Sequence, residues 1–117
     1  NVSGKENIAY CFHSVDGYSK IGSYTGTGNA SNITVSLGFS PKFLMVKKTN
    51  ATSAWLIMDA VRNPSSPFNT FLLADGSGAE FIANALTFSY DSTSFTVSNT
   101  DGTFNANGGT YIYLAIA

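Results

Sequence analysis

Few side chains in this chain could carry acid–base chemistry. Its 117 residues include one histidine, His13, with seven acidic and six basic residues, and these charged types make up 11% of the chain. A typical soluble protein has about 25%. A Ser-His-Asp triad would have to use His13, which lies between an apolar run and a turn, and no Gly-x-Ser-x-Gly motif is present. Because acid–base catalysis depends on positioned titratable groups, the composition predicts a non-enzyme without catalytic residues.

Paired carboxylates are the next chemistry to consider, because glycoside hydrolysis needs two of them beside one cleft. Most acids here stand in turn sequences, where Asp is favoured for backbone reasons alone. Asp59 differs, because it follows the apolar run Trp55–Met58 and precedes Arg62 within one turn of chain. We expect Asp59 and Arg62 to form a structural ion pair at the base of a proline-containing loop. A small depolymerase acting through Asp59 is the enzymatic alternative.

Sites for metals, cofactors and nucleic acid are not predicted. Cys11 is the only cysteine, which excludes an intrachain disulfide and a Cys-based zinc site, and its apolar neighbours predict a buried thiol. The Asp- and Asn-containing turns do not match a calcium loop. Lys47-Lys48 is the only basic cluster, and no run of about 20 apolar residues is present. We expect no metal, no cofactor, no nucleic-acid partner and no membrane span.

Aromatic side chains are plentiful, with nine Phe, six Tyr and one Trp. Exposed rings beside amide and hydroxyl groups would suit a glycan, and the chain is rich in Ser, Thr and Asn. Trp55, Tyr18 and Tyr24 are the candidate glycan contacts. In a small β domain most aromatic rings pack in the core, so a structural role is the alternative for each of them.

Apolar and polar residues alternate with the period of β-strands. Ile33–Leu37 places its aliphatic side chains on one face and its hydroxyls on the other, and Leu86–Tyr90 and Ser94–Ser98 behave alike. Other runs, such as Phe43–Val46 and Tyr111–Ile116, are apolar on both faces. Short runs of that kind are typical of central strands covered on both sides.

Turn sequences separate about nine such segments at spacings of roughly 8–12 residues, which is typical of a sandwich or barrel. The segments include Ile8–Phe12 and Tyr18–Tyr24, while Gly78–Asn84 could form one helical turn. The predicted fold class is all-β: a single-domain antiparallel β-sandwich, jelly-roll-like, over residues 1–117. Because the chain lacks an initiating Met and ends in a strand-like run, we expect a piece excerpted or processed from a longer polypeptide.

Three stretches, in this order, carry a resemblance to a known family. They are Tyr10–Gly26, then Leu37–Thr49 with Trp55–Asp59 and Arg62-Asn63, and finally Asn105–Ile116. Together they cover nearly the whole chain. They resemble a poorly characterised β-rich domain family found in tail-fibre-like structural proteins of marine and cyanobacterial phages, where it often adjoins concanavalin-like domains.

The resemblance implies a non-enzymatic virion structural domain on the particle surface, in a tail fibre, a decoration protein or a surface filament. It also implies a homo-oligomer, with a trimer favoured by analogy, and contacts with neighbouring virion proteins and the host surface. Because strand edges must be paired or covered, we expect assembly contacts in the last strand and the proline loop. The candidates are Tyr111, Tyr113, Asn63, Pro64 and Pro67. The alternative function is a carbohydrate-binding module that docks a larger protein to host glycans.

Overall fold

The computed structural model describes residues 4, 6, 8–29, 32–86 and 88–117. Over these residues the protein has nine strands and one short helix. They are β1 (Ser19–Thr25), β2 (Ile33–Ser36), β3 (Phe43–Lys48), β4 (Trp55–Asp59), β5 (Thr70–Leu73), β6 (Phe81–Ile82), β7 (Phe88–Tyr90), β8 (Ser94–Val97), α1 (Gly102–Asn105) and β9 (Thr110–Ile116). No helix in this part of the chain has the length and hydropathy to cross a membrane. The all-β prediction is confirmed.

Six antiparallel strands form the larger sheet, in the order β1-β9-β3-β4-β5-β6. The last strand, β9, lies inside this sheet, so that Leu114 is opposite Ile21 of β1 on one side and Met45 of β3 on the other. Both hydrogen-bonding edges of β9 are therefore occupied within the chain. The expectation that the edges of the last strand serve assembly is wrong for this reason.

The smaller sheet has three antiparallel strands in the order β2-β8-β7. Ile33 and Val35 of β2 pack against the core, and they are opposite Val97 and Phe95 of β8. On the other face, the hydroxyls of Thr34 and Thr96 are hydrogen-bonded at 3.2 Å. The period-2 pattern of the sequence therefore assigns these two strands and their buried faces correctly.

The core lies between the two sheets and consists largely of aromatic rings. Phe95 of β8 meets Tyr113 of β9 edge-on, with ring centroids 5.2 Å apart. Phe88 of β7 meets Phe104 of α1 at 4.6 Å, with the planes at 87°. Such edge-to-face pairs add roughly 0.5–1.5 kcal/mol each beyond the burial of their area. These contacts hold the smaller sheet and α1 against the larger sheet.

Two local expectations are wrong. Ile8–Phe12 is an exposed segment without strand pairing, and the Cys11 thiol, expected to be buried, is exposed with it. Within Gly78–Asn84, Phe81 pairs with Phe71 of β5, so this region contains β6 and not a helical turn. Apolar content alone distinguishes neither an exposed segment from a strand nor a strand from a helical turn, because pairing with another segment decides between them.

Candidate interaction groove

The outer face of the larger sheet carries a groove of about 610 Å³. Its floor is formed by side chains that alternate with core residues along the strands. Ile21, Leu114 and Met45 lie in register across three neighbouring strands, and Ile57 continues the row into β4. This sheet is therefore apolar on both faces, although an antiparallel sheet in a two-layer protein commonly turns a polar face to solvent.

The next row across the sheet brings the single tryptophan to the groove. Ile112 of β9 is opposite Lys47 of β3, and Lys47 is opposite Trp55 of β4. The Lys47 ammonium donates a hydrogen bond to the Ser53 carbonyl at 2.6 Å, so this charge is held by the chain's own backbone. Ile112 and Trp55 both line the groove.

An exposed segment, here called the arm (Ile8–Phe12), contributes to one side of the groove. Tyr10 and Phe12 line the groove together with the floor residues. Even so, Tyr10 is 81% exposed and Phe12 is 59% exposed. The arm therefore lines the groove with one side of its rings and leaves most of their surface open to solvent.

The chain is fixed to β1 directly after the arm. The Ser19 hydroxyl donates to the His13 carbonyl at 3.0 Å, and the Ile21 N–H donates to the Ser14 hydroxyl at 3.1 Å. A tight turn with Gly17 at a φ of 72° then leads into the strand, a conformation that favours glycine. These hydrogen bonds fix the chain that follows Phe12 beside β1.

The chemistry of the groove follows from its lining. The lining residues are aliphatic, thioether or aromatic, and none of them is charged. Such a surface binds an apolar or aromatic group by burial, at roughly 25 cal/mol per Å² removed from water. It presents no carboxylate or imidazole for proton transfer.

The comparisons with known proteins give one assignment. A family model described as a domain of unknown function, DUF7483, matches residues 1–117. The chain belongs to the DUF7483 family. Comparisons with curated proteins and with solved structures found no match.

The three candidate glycan contacts of the DUF7483 domain do not form one platform. Trp55 lines the groove. Tyr18 is exposed in the turn before β1 but is not part of the lining. The expectation for Tyr24 is wrong, because its ring is buried and stacks on that of Tyr111 in the core.

Two of the expected assembly contacts are also core residues. Tyr111 and Tyr113 are buried, and their rings pack against Tyr24 and Phe95 in the core. Tyr113 also contributes to the groove lining, next to the more exposed Ile112. Burial raises the pKa of both phenols. The sequence identified the correct strand but not which of its faces would be exposed.

Of the three candidate contacts in the proline loop, one is buried and two are exposed. Asn63 is buried, and its side-chain carbonyl accepts from the Asn69 N–H at 2.9 Å and the Thr70 N–H at 3.0 Å. The expectation that Asn63 contacts a partner is wrong, because the side chain connects the two ends of its own loop. Pro64 and Pro67 are exposed on the outside of the loop.

Asp59 and Arg62 form the expected ion pair at the base of this loop. The Asp59 Oδ1 atom also accepts from the N–H groups of Val61 and Arg62, both at 3.0 Å. Burial alone would raise the pKa of Asp59, but the hydrogen bonds and charge of Arg62 hold it below its usual value near 3.8. Because Oδ1 of Asp59 binds the backbone of the turn and Oδ2 pairs with Arg62, both carboxylate oxygens are used to stabilise the base of the loop. The Arg62 guanidinium also lies 3.8 Å from a carboxylate oxygen of Glu80.

No group of three or more His, Cys, Asp or Glu side chains among the described residues is placed to hold a metal ion.

Sequence reasoning missed the groove, although a signal was present. Phe43–Val46, Trp55–Met58 and Tyr111–Ile116 are apolar at every position or nearly so. In a parallel α/β protein such runs are covered by helices on both sides, but this chain shows no sequence for those helices. An apolar outer face was therefore the remaining explanation.

Proposed function

We propose that this DUF7483 domain is a non-enzymatic virion structural domain that self-associates and contacts the host surface. In this proposal it forms part of a tail fibre, a decoration protein or a surface filament on the outside of the particle. Its partners are further copies of itself, with a trimer favoured by analogy, and neighbouring virion proteins. The observation that carries the self-association is the exposed apolar groove on the larger sheet, with the arm beside it.

The exposed apolar surface supports this proposal because four of its large side chains lie around one groove. Ile21 and Ile112 on the groove floor are about two-fifths exposed, and Tyr10 and Phe12 expose more than half of their surface. The largest apolar patch on a protein surface is often a functional one. A net charge of −1 leaves little long-range repulsion between copies.

The direct test is the mass in solution, measured by light scattering over a concentration series. We expect a discrete multimer or a filament of the 12.4 kDa chain. A monomer at every concentration would contradict the proposed self-association. Retention of the multimer when salt is raised would agree with an apolar contact, because screening weakens only charged contacts.

The second candidate is a carbohydrate-binding module, which the position of Trp55 in an open groove favours. Sugar rings stack on exposed aromatic faces, and Tyr10 and Phe12 lie around the same groove. Trp55 is the only tryptophan, so its fluorescence reports on groove occupancy without interference. A glycan array should give hits that quench Trp55, that are lost in Trp55→Ala and that persist in Tyr18→Ala. A flat array together with flat saccharide titrations would rule against this candidate for the sugars sampled.

A further inference from the structure

We infer that the occupant of the groove is the arm of a second copy of this chain. The inference rests on the self-association proposed above and names the surfaces that meet. Ile8–Phe12 of one copy enters the groove between Trp55 and Ile112 of the next copy. Tyr10 and Phe12 are the side chains that become buried there.

The arm is free to make this contact because its own chain holds it weakly. Among the described residues, Ile8–Phe12 takes part in no hydrogen bond, and the anchors to β1 begin only at His13 and Ser14. Ile8 at the arm's outer end is exposed along with Tyr10. An apolar segment without backbone pairing can leave its place beside its own groove and enter the groove of a second copy at low cost.

The exposed area agrees with an interface between copies. From their exposed fractions, Tyr10, Phe12, Ile21 and Ile112 together leave on the order of 500 Å² open to solvent. That is within the range of the largest apolar patch of a monomer, about 300–600 Å², and such patches are often functional. A stable interface buries about 800 Å² on each partner, so this patch supplies more than half of what such an interface needs.

The charges around the groove favour a second copy over a charged partner. No lining residue is charged, and Lys47, which lies between Ile112 and Trp55 on the same face, donates to the Ser53 carbonyl. Because the lining itself carries no charge, two such surfaces can meet through their apolar side chains, whereas an acidic or basic partner would find no counter-charge in the lining.

The arrangement of arm and groove is also self-complementary. A protruding apolar segment and an apolar depression lie side by side on one face of the same chain. Two copies related by a two-fold axis can exchange arms reciprocally, and three copies in a ring can pass each arm to the next groove. The contact is therefore compatible with the dimer and with the trimer favoured by analogy.

The experiment compares the masses of three proteins by light scattering over one concentration series. The first is the wild-type chain, and the second carries Tyr10→Ser and Phe12→Ser. The matched control carries Val61→Ser and Ile82→Ser, which also remove two exposed apolar side chains but lie outside the groove lining. Thermal melting of all three verifies folding, because substitutions at exposed positions leave the core intact.

We expect the arm variant to need roughly a hundredfold higher concentration than wild type to assemble, and the control to assemble like wild type. An arm variant that assembles like wild type would overturn the inference and leave the proposed self-association standing. A wild-type protein that is monomeric throughout would overturn both.

Trp55 emission provides a second readout on the same samples. As dilution dissociates the wild-type oligomer, we expect the emission maximum to move to longer wavelength because the groove loses its cover. A fall in mass without any change in Trp55 emission would place the interface elsewhere and overturn the inference alone.

Discussion

Tyr24 and Tyr111 lie stacked in the core, with ring centroids 4.8 Å apart and planes within 9° of parallel. Their hydroxyls both bind α1: Tyr24 donates to the Phe104 carbonyl at 3.0 Å, and Tyr111 donates to the Gly102 carbonyl at 3.0 Å. Burial raises the pKa of Tyr24, and the Tyr111 hydroxyl raises it further. The pair therefore stays neutral and connects β1, the edge strand, and its neighbour β9 to α1.

The Tyr111→Phe variant tests this connection. The Tyr111 hydroxyl also accepts from the Ala106 N–H at 2.8 Å. Its loss leaves this N–H without its partner and leaves the Gly102 carbonyl with only the Lys48 ammonium, at 3.4 Å. We expect the free energy of unfolding to fall by about 1–3 kcal/mol in urea denaturation. Tyr113→Phe is the control, because the Tyr113 hydroxyl makes no hydrogen bond to the described residues, and its stability should change little. Equal losses in the two variants would contradict a role for the hydroxyl contacts.

Asn105 is the second polar group on which the loops around α1 depend. It is fully buried; its carbonyl accepts from the Thr27 N–H at 2.7 Å, and its amide donates to the carbonyls of Asn29 and Asn99 at 2.7 and 2.6 Å. We expect Asn105→Ala to destabilise the fold by about 3 kcal/mol, because a fully buried amide loses these three hydrogen bonds together. Thermal melting against Asn107→Ala, an exposed position, measures the difference. A melting temperature within 2–3 °C of wild type, a shift that corresponds to roughly 0.5 kcal/mol, would contradict the prediction.

Sequence pattern predicts the buried face of some strands of this domain but not of others. Alternation within β2 and β8 identifies their buried faces, because period 2 assigns every second side chain to one face. It does not do so for β9, where Tyr111 to Ile116 is apolar on both faces, and only the register with β1 and β3 shows that Tyr111 and Tyr113 face the core.

Sequence pattern also does not predict which segments pair with each other, as the arm shows. Ile8–Phe12 has the composition of a strand, and the sequence supports that interpretation as well as any other. Strand formation depends on a free edge to pair with, and here the segment lies beside the outer face of the sheet instead. The Asp59–Arg62 pair could be predicted because its partners are close in sequence, whereas the groove joins residues from Tyr10 to Leu114.

Gly26 is expected to be irreplaceable by alanine. A Cβ atom there would overlap the Ala106 carbonyl oxygen and approach the Asn105 carbonyl carbon at 3.0 Å, and both are backbone atoms that cannot rotate away. We expect Gly26→Ala to lower stability by more than about 2 kcal/mol. Gly102→Ala is the opposite case, because its Cβ would meet nothing closer than the Ala106 Cβ at 3.9 Å. It should stabilise by up to about 1 kcal/mol. Denaturant midpoints that move in the same direction would contradict this prediction.

The Asp59–Arg62 pair predicts how stability depends on pH. The folded protein holds the pKa of Asp59 below its value near 3.8, so its contribution is present above that pH and is lost as the pH falls through the folded pKa. Asp59→Asn keeps an oxygen to accept from Val61 and Arg62 but removes the charge. We expect the variant to be less stable than wild type by about 1 kcal/mol at pH 7 and the gap to close towards pH 2–3. Urea denaturation at pH 7, 5, 4 and 3 measures the gap, and a constant gap at all four values would show that the charge of Asp59 contributes nothing to the fold.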